Sequence, residues 1–289
     1  MRPLIYLISA AFAGQFLVED VAAQNWMQTS APTANWVSIA SAADGARLLA
    51  ASGSGLWTSL DFGMSWFSNN VGTANWSSVA CSADGKNLVA VTRSAGGAFG
   101  IWTSTNAGGN WLSNGLPNDP SSEGPSAVAS SATGEKLVAV SASGSGLAAI
   151  WTSSNSGVSW ISNNVPGTFH TYLSVASSAD GETLIAGSYV GSLYVSTNAG
   201  VTWRTASPPS GIWQTVAASA DGTRLAAAIY NGRIYSSSDA GQSWITNNLS
   251  DFWHSLAVSA DGTRLAAAGF HIYTSIDSGS TWVSNSLPT

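Results

Sequence analysis

The sequence predicts an all-β protein, a six-bladed β-propeller whose blades are four-stranded antiparallel sheets. Three observations predict this fold. A tryptophan-ended octapeptide recurs six times, each copy follows the same order of short apolar runs, and tight-turn residues separate those runs. A repeat of roughly 40–45 residues with such runs is typical of a propeller blade. Seven blades is the less favoured alternative.

The octapeptide has the form Ser-x-Asp/Asn-x-Gly-x-Ser/Thr/Asn-Trp. The intervals between successive copies are 45, 49, 43, 41 and 38 residues. Such regularity indicates one structural unit repeated along a single domain. The tryptophans that end the copies are Trp66, Trp111, Trp160, Trp203, Trp244 and Trp282.

Each unit has the same internal order, which unit one illustrates. Trp36–Ala40 alternates like a half-buried strand, and a turn follows at Asp44-Gly45, where glycine tolerates positive φ. Arg47–Ala51 and Gly55–Ser59 are the second and third strands, and Trp66–Asn69 is the fourth. The six units cover approximately residues 34–70, 74–115, 124–164, 171–207, 212–248 and 252–286.

The octapeptides resemble the Asp boxes of the BNR/sialidase-type repeat families, and the resemblance covers residues 34–286. It implies structural hairpins, in which the acid or amide accepts backbone N–H groups and the tryptophan packs between strands. A sialidase is not expected, because the chain has no Phe/Tyr-Arg-Ile-Pro segment. The resemblance implies a structural role in the turn, and not a catalytic role, for Asp61, Asn106, Asn155, Asn198, Asp239 and Asp277.

Residues 1–23 are interpreted as a secretory signal. Arg2 supplies the positive start, Leu4–Val18 is apolar but short for a membrane span, and Val21–Ala23 offers small residues for cleavage. Residues 24–289 then form a single propeller domain that is secreted or periplasmic, without membrane insertion. An uncleaved anchor is the alternative.

Two short segments compete to close the ring of blades. Asn25–Thr29 resembles a fourth strand and could pair with the last blade, which would remove a sheet edge. Trp282–Asn285 already supplies a fourth strand to the last unit, so the sequence leaves the choice open.

Cys81 stands where other units carry small residues, and we expect it to be a buried filler rather than a reactive thiol.

The amino-acid composition limits the classes of partner that the chain is expected to bind. Charged residues are only 8% of the chain and the net charge is −6, so no basic cluster is available for nucleic acid or for an anionic membrane. No phosphate loop, dinucleotide fingerprint or zinc motif occurs, so we expect no cofactor and no metal site. The neutral polar surface, rich in Ser, Thr and Asn, suits a carbohydrate or protein ligand, and we expect a monomer.

The four-stranded unit separates two ends of each blade. The Asp-Gly turns and the Asp boxes lie at one end and repeat closely, whereas the loops between strands two and three and the links between blades lie at the other end and vary. Function usually resides on such variable loops. Aromatic residues that begin the innermost strands should surround the channel at the variable end, either as packing wedges or as a ligand-stacking platform: Trp36, Trp76, Tyr172, Trp213 and Trp253.

The variable end also holds the longest loops, Thr92–Gly100, Leu116–Pro125 and Ser141–Ala149, which could wall a pocket. The charged and histidine residues outside the repeated pattern gather at this end: Arg93, Asp119, Glu123, His170, Arg233, Asp251, His254 and His271. If the chain is an enzyme, the catalytic set would come from His254, His271, Asp251, Arg93 and Arg233, and those side chains must converge.

The leading hypothesis is a non-catalytic extracellular binding propeller that recognises carbohydrate or a protein partner through its aromatic variable face. The alternative is a hydrolase or lyase at the channel mouth, acting on a glycan-like or small polar substrate. A second alternative is an assembly factor, since similar propellers occur among photosystem assembly proteins. That alternative rests on the resemblance of fold and implies a broad exposed apolar patch.

Overall fold

The computed structural model describes residues 28–53, 55–72, 74–93, 100–117, 124–142, 149–166, 171–189, 191–206 and 208–285. All regular structure within these ranges is strand. None of the described residues forms a helix that could cross a membrane. The predicted signal at 1–23 and the fragment at 25–27 lie outside the described residues.

The strands form six sheets of four, each in the consecutive order of an antiparallel meander, which confirms the predicted six-bladed propeller. We number the blades one to six along the chain.

Blades one to three comprise β1 (Trp36–Ser41), β2 (Leu48–Ser52), β3 (Gly55–Ser59) and β4 (Phe67–Ser68); β5 (Trp76–Cys81), β6 (Leu88–Thr92), β7 (Gly100–Ser104) and β8 (Leu112–Asn114); and β9 (Pro125–Ser130), β10 (Leu137–Ser141), β11 (Ile150–Ser153) and β12 (Ile161–Asn163). Blades four to six comprise β13 (Tyr172–Ser177), β14 (Leu184–Ser188), β15 (Leu193–Ser196) and β16 (Arg204–Thr205); β17 (Trp213–Ala218), β18 (Leu225–Ile229), β19 (Gly232–Ser237) and β20 (Ile245–Asp251); and β21 (Ser255–Val258), β22 (Leu265–Ala268), β23 (Ile272–Ser275) and β24 (Val283–Asn285).

The second strand of a blade has a neighbouring blade on each of its two faces, and its amino-acid sequence reflects this position. All five residues of β6 and of β10 are buried. Because both faces of such a strand pack against other blades, its side chains are apolar up to the final residue, Thr92 or Ser141, instead of alternating. The fourth strands are edge strands with exposed side chains, as Phe67 and Ile161 show.

The hydrophobic core is divided among the interfaces between consecutive blades. One apolar cluster joins each of the pairs one–two, two–three, three–four, four–five and five–six. In the cluster between blades four and five, Trp213 packs with Ile185 and Leu193 of the preceding blade. Trp76, Tyr172 and Trp253 pack against the preceding blade in the same way.

Backbone hydrogen bonds add a second connection between blades. In the turn between strands one and two of blades one to five, the N–H group of an alanine donates to the carbonyl of the corresponding alanine in the next blade, over 2.7–2.9 Å. The chain of donors and acceptors is Ala43, Ala83, Ala132, Ala179, Ala220 and Ala260. Within the described ranges, neither such a bond nor an apolar cluster joins blade six to blade one.

Candidate functional site

The structure separates two rims. The Asp-box rim carries the Asp-Gly turns and the Asp-box hairpins, and the loop rim carries the loops between strands two and three and the links between blades. Trp213 pairs with Ile229 at the loop-rim end of β18. Trp253 Nε1 donates to the carbonyl of Gly232, the first residue of β19 in the preceding blade, over 2.8 Å. The first-strand aromatics therefore begin at the loop rim, as the meander requires.

These aromatics pack between blades, which is the first of the two roles that the sequence left open. Trp76 is 3% exposed, and Tyr172, Trp213 and Trp253 are fully buried. Each ring sits edge-on against the third-strand aromatic of its own blade; the ring centroids of Trp213 and Tyr235 are 5.2 Å apart. A buried ring has no free face for a ligand, so these four residues do not form a stacking platform. Trp36 alone is half-buried.

The octapeptide hairpins are closed by hydrogen bonds among their own residues. In blade three, Ser153 Oγ accepts the Gly157 N–H at 2.9 Å, and Asn155 Oδ1 accepts the Ser159 N–H at 2.9 Å. The Trp160 indole donates to the Gly157 carbonyl at 3.1 Å, which ties the tryptophan to its own turn. The polar groups of the octapeptide thus satisfy one another.

The acidic members of these hairpins are held ionised. The hydroxyl and backbone N–H of Ser243 lower the pKa of Asp239 to about 2, with a further contribution from Ser237. The hydroxyl and N–H of Thr281 lower the pKa of Asp277 to about 2 in the same way. A carboxyl group with so low a pKa has no proton to donate near neutral pH, so both residues act as hydrogen-bond acceptors in the turn.

The candidate catalytic residues converge only in part. His271 Nδ1 lies 3.9 Å from Asp251 Oδ2, beyond hydrogen-bond reach. Arg233 is exposed on β19, opposite Ser250 of β20. Arg93 follows β6 of blade two, whereas the others belong to blades five and six. Asp119, Glu123 and His170 lie outside the described residues, and the described ranges contain no cluster of His, Cys, Asp and Glu that could hold a metal ion.

Asp251 ends β20 beneath the loops of blades five and six. Its side chain is 6% exposed. Oδ1 accepts the N–H of Phe252 at 2.7 Å, whereas Oδ2 has no hydrogen-bond partner among the described residues. A buried carboxylate oxygen of this kind is unusual and retains the capacity to accept a hydrogen bond.

An exposed aromatic patch lies beside this carboxyl group: Phe252 is the next residue, and His271 Nδ1 lies 3.9 Å from Asp251 Oδ2. The ring centroids of Tyr230 and Phe252 are 5.3 Å apart, and those of Phe252 and Phe270 are 5.1 Å apart, both edge-to-face. His254 adjoins the Tyr230 ring with centroids 6.4 Å apart. Tyr230 is 39% and Phe270 70% exposed, which leaves aromatic surface open to solvent at the loop rim. We call Tyr230, Phe252, His254, Phe270 and His271 the aromatic patch.

The sequence singles out the two histidines of the patch, but no pattern in it points to the other three rings. Tyr230 and Phe270 stand in loops between strands two and three, and Phe252 stands in the link between blades five and six. No periodic pattern distinguishes a loop residue. The available signal was the presence of large aromatic residues at loop tips, where polar and small residues are typical.

The Asp-box rim has two further surface features. A cleft of about 230 Å³ lies between blades five and six, lined by residues such as Arg224, Ser236 and Ser278. It is smaller than an ordinary ligand pocket, and it lies among the repeated turns. Blade one exposes Phe62 and Met64 on its Asp-box hairpin, 64% and 69% exposed. These apolar side chains are the nearest counterpart to the patch that an assembly factor would need.

Comparison with known proteins indicates the fold. No family model matches the chain, and no curated protein sequence matches it. The chain is similar to a structure described as YCF48 bound to D1 peptide, with 18% identity, a TM-score of 0.63, and 90% of this chain and 83% of that one covered. It is also similar to YCF48 from Cyanidioschyzon merolae, with 17% identity, a TM-score of 0.64 and coverage of 90% and 88%. At these identities the likeness shows a β-propeller.

Proposed function

We propose that this chain is a non-catalytic propeller that binds a polypeptide partner through the aromatic patch on its loop rim. The observation that carries the proposal is the contiguous group of Tyr230, Phe252 and Phe270, whose rings remain partly exposed at the loop rim. Exposed aromatic clusters of this kind mark interaction sites, because each ring buries a large area at small entropic cost.

The chemistry of the patch specifies the partner. Phe270 and Tyr230 offer apolar surface to an aliphatic or aromatic side chain. The carboxyl group of Asp251 lies beside the patch with one oxygen unpaired among the described residues, and the chain as a whole carries a net charge of −6. A segment that combines an apolar anchor with a neighbouring basic residue is complementary in both shape and charge.

A fold-level parallel supports a polypeptide ligand. One similar propeller is described as YCF48 bound to D1 peptide. The parallel concerns the class of ligand and says nothing of the residues that contact it. A carbohydrate is the second candidate, because the exposed face of Phe270 and the low charge density of the surface also suit stacking on a sugar.

A display selection tests the proposal. A random 12-residue peptide display library is selected on the full chain, and the enriched peptides are measured against Phe270→Ser and Tyr230→Ser. Both side chains are exposed, so both variants should fold. Ile161→Ser, a change at an equally exposed residue on the edge strand β12, is the matched control. We expect a loss of at least roughly tenfold in affinity for the patch variants, in line with hot-spot aromatics, and none for the control.

Several results of this experiment would contradict the proposed binding site. Failure to enrich any peptide, or binding that Phe270→Ser and Tyr230→Ser leave unchanged, would exclude the patch as a polypeptide site. Loss of binding in Phe62→Ser instead would move the site to the Asp-box rim. A glycan array with the same variants separates the second candidate, since only a sugar-binding patch would give signals that Phe270→Ser abolishes there.

A further inference from the structure

We propose that the Asp-box hairpin of blade one docks a second protein, a folded partner that receives the hairpin in an apolar groove edged by basic residues. The surface concerned consists of Leu60, Phe62 and Met64, which we call the blade-one tip. The proposal rests on the exposure of these side chains, on the backbone conformation of Phe62 and on the charges beside the tip. It concerns the Asp-box rim and is independent of the ligand proposed for the loop rim.

The blade-one tip exposes three large apolar side chains within five residues. Leu60 is 53%, Phe62 64% and Met64 69% exposed. With about 200 Å² for a large side chain, the three present on the order of 400 Å² of apolar surface to solvent. The largest apolar patch of a typical monomeric protein has this size and often marks an interaction site.

The other five Asp boxes show that the hairpin does not require these side chains. The three positions carry Thr, Ala and Gly in blade two, and Ser, Ala and Gln in blade five. Blades three, four and six carry one large apolar residue each, which are Val158, Val201 and Ile276. Blade one carries three, so the structural role of the repeat does not account for them.

Phe62 adopts a conformation that disfavours a bulky side chain. Its φ is 61°, in the left-handed region, where a large side chain is rare. The equivalent residues have the same conformation but are small; they are Ala107, Ser156, Ala199, Ala240 and Ser278. The N–H group of each of the six donates to a backbone carbonyl in the turn between strands one and two of its own blade, over 2.8–3.0 Å. This bond needs no phenyl ring, and an exposed aromatic residue at a strained position points to a functional use.

Two carboxylates lie beside the tip and specify its partner. Asp61 belongs to the hairpin, and the hydroxyl and N–H groups of Ser65 lower the pKa of its carboxyl group, which keeps it ionised near neutral pH. The ring of Phe62 reaches the Asp44-Gly45 turn, since a Cβ built on Gly45 would lie 3.8 Å from Phe62 Cδ1, and Asp44 is exposed there. Neither carboxylate belongs to an ion pair among the described residues. A partner that covers the tip therefore needs basic residues at the border of its apolar surface.

The size and charge of the tip favour a groove over a second copy of the chain or a membrane. Two copies joined tip to tip would bury about 800 Å², less than the roughly 1,200–2,000 Å² of a stable interface, and each would carry a net charge of −6. The carboxylates of Asp44 and Asp61 also oppose an anionic membrane. A groove encloses the sides of a hairpin as well as its end, and so buries more surface than a flat contact. Because the tip and the aromatic patch lie on opposite rims, the chain can hold two partners at once.

The stability of a substituted tip tests whether these residues serve the fold. Leu60→Ser/Phe62→Ala/Met64→Gln gives blade one the residues of the blade-five hairpin. The replaced side chains are exposed, so we expect the urea midpoint to equal or exceed that of the wild type. Leu56→Ala, at a fully buried residue of β3, is the control and should lower the midpoint. A lower midpoint for the tip variant would assign the three residues to the fold and overturn the proposal.

Site-specific photocrosslinking of the full chain, in cells that produce it, tests for the partner. A benzophenone amino acid replaces Phe62 in one version and Val158 in another, because Val158 is 74% exposed on the equivalent hairpin of blade three. We expect one discrete crosslinked protein from position 62 and not from position 158. Mass spectrometry should locate the crosslink in an apolar segment with Lys or Arg beside it. Leu60→Ser/Met64→Gln should reduce the yield at least roughly tenfold, and Phe270→Ser on the loop rim should leave it unchanged.

The same experiment can overturn the proposal in several ways. Absence of a product at position 62, the same product from position 158, or a yield that Leu60→Ser/Met64→Gln leaves unchanged would exclude the tip as a specific surface. A product that joins two copies of the chain would make the tip a dimer contact. Sedimentation with phosphatidylcholine vesicles that the tip variant abolishes would make a lipid surface the occupant. Loss of the product in Phe270→Ser would place the partner at the loop rim instead.

Discussion

Gly187 of β14 lies against Trp213 of β17 so closely that a Cβ on Gly187 would sit 2.9 Å from the Trp213 Cβ and 3.0 Å from its carbonyl oxygen. The other second strands carry alanine or a larger residue at this position. The contact brings blades four and five together at the point where the first-strand tryptophan enters the interface. The missing side chain of Gly187 is therefore part of how this pair of sheets packs.

Gly187→Ala tests this contact. The added methyl group meets backbone as well as side chain, so we expect a loss of about 1–3 kcal/mol in the free energy of unfolding. Urea denaturation measures it. Gly115→Ala is the control, because a Cβ there would have no atom within 4 Å. Equal stability of the two variants would show that the two blades adjust freely at this interface.

The Asp-box amide of blade three gives a second prediction. Asn155→Ala removes the acceptor of the Ser159 N–H and should lower the free energy of unfolding by about 1 kcal/mol. Asn155→Asp restores the acceptor, as Asp239 and Asp277 do in blades five and six, and should remain within about 0.5 kcal/mol of the wild type. Urea denaturation measures the free energy of unfolding of both variants. An equal loss for the alanine and the aspartate variant would refute the capping role of Asn155.

Acid should destabilise the fold within a defined range of pH. The pKa of Asp239 and that of Asp277 are lowered from 3.8 to about 2 by hydrogen bonds in the folded hairpins. Because the folded state holds these protons less tightly than the unfolded chain, their contribution is complete above about pH 4 and is lost as the pH falls toward 2. The melting temperature should fall across that interval for this reason.

The chain itself offers the control for the acid transition. Blades two, three and four carry asparagine at the Asp-box position, so Asp61→Asn/Asp239→Asn/Asp277→Asn should fold. Its melting temperature should depend less on pH between 4 and 2. Some dependence should remain, because hydrogen bonds also lower the pKa of Asp84, Asp180, Asp221 and Asp261 at the Asp-Gly turns. An acid transition identical to that of the wild type would contradict this assignment.

Cys81 should be inert in the native protein. Cys81 is half-buried, and the desolvation of its thiol, with a smaller contribution from Asp84, raises its pKa to about 12, so almost no thiolate forms at pH 8. A colourimetric thiol reagent should react with the native chain only at the rate of unfolding. Ser113→Cys, at an exposed position on β8, should react at once. Rapid labelling of Cys81 in the folded wild type would refute its assignment as a buried filler.

The fold could be predicted from the sequence because its signals are repeated. Trp160 and its five equivalents, each preceded by a glycine turn, mark the end of a third strand and the start of a fourth. One such match is weak evidence, but six in phase determine the architecture. The pairing of Trp213 with Ile229 likewise follows from the meander alone.

The candidate site could be predicted only in part. The sequence placed Trp213 and Trp253 at the correct rim but could not show that the wedge between two sheets would bury them completely. It could not show that Tyr230 and Phe270 both contact Phe252, because they are 40 residues apart and belong to different blades. Contacts between consecutive blades depend on the relative rotation of the sheets, which no local pattern encodes.

A hydrogen-exchange footprint of the complex with one selected peptide tests the central claim most directly. We expect the peptide to slow exchange at the loop rim of blades five and six, in the segments 229–234, 251–255 and 268–272, and to leave the Asp-box hairpins unchanged. Protection centred on the Asp-box hairpins, such as Ser59–Trp66, would contradict the assignment of the loop rim as the binding surface.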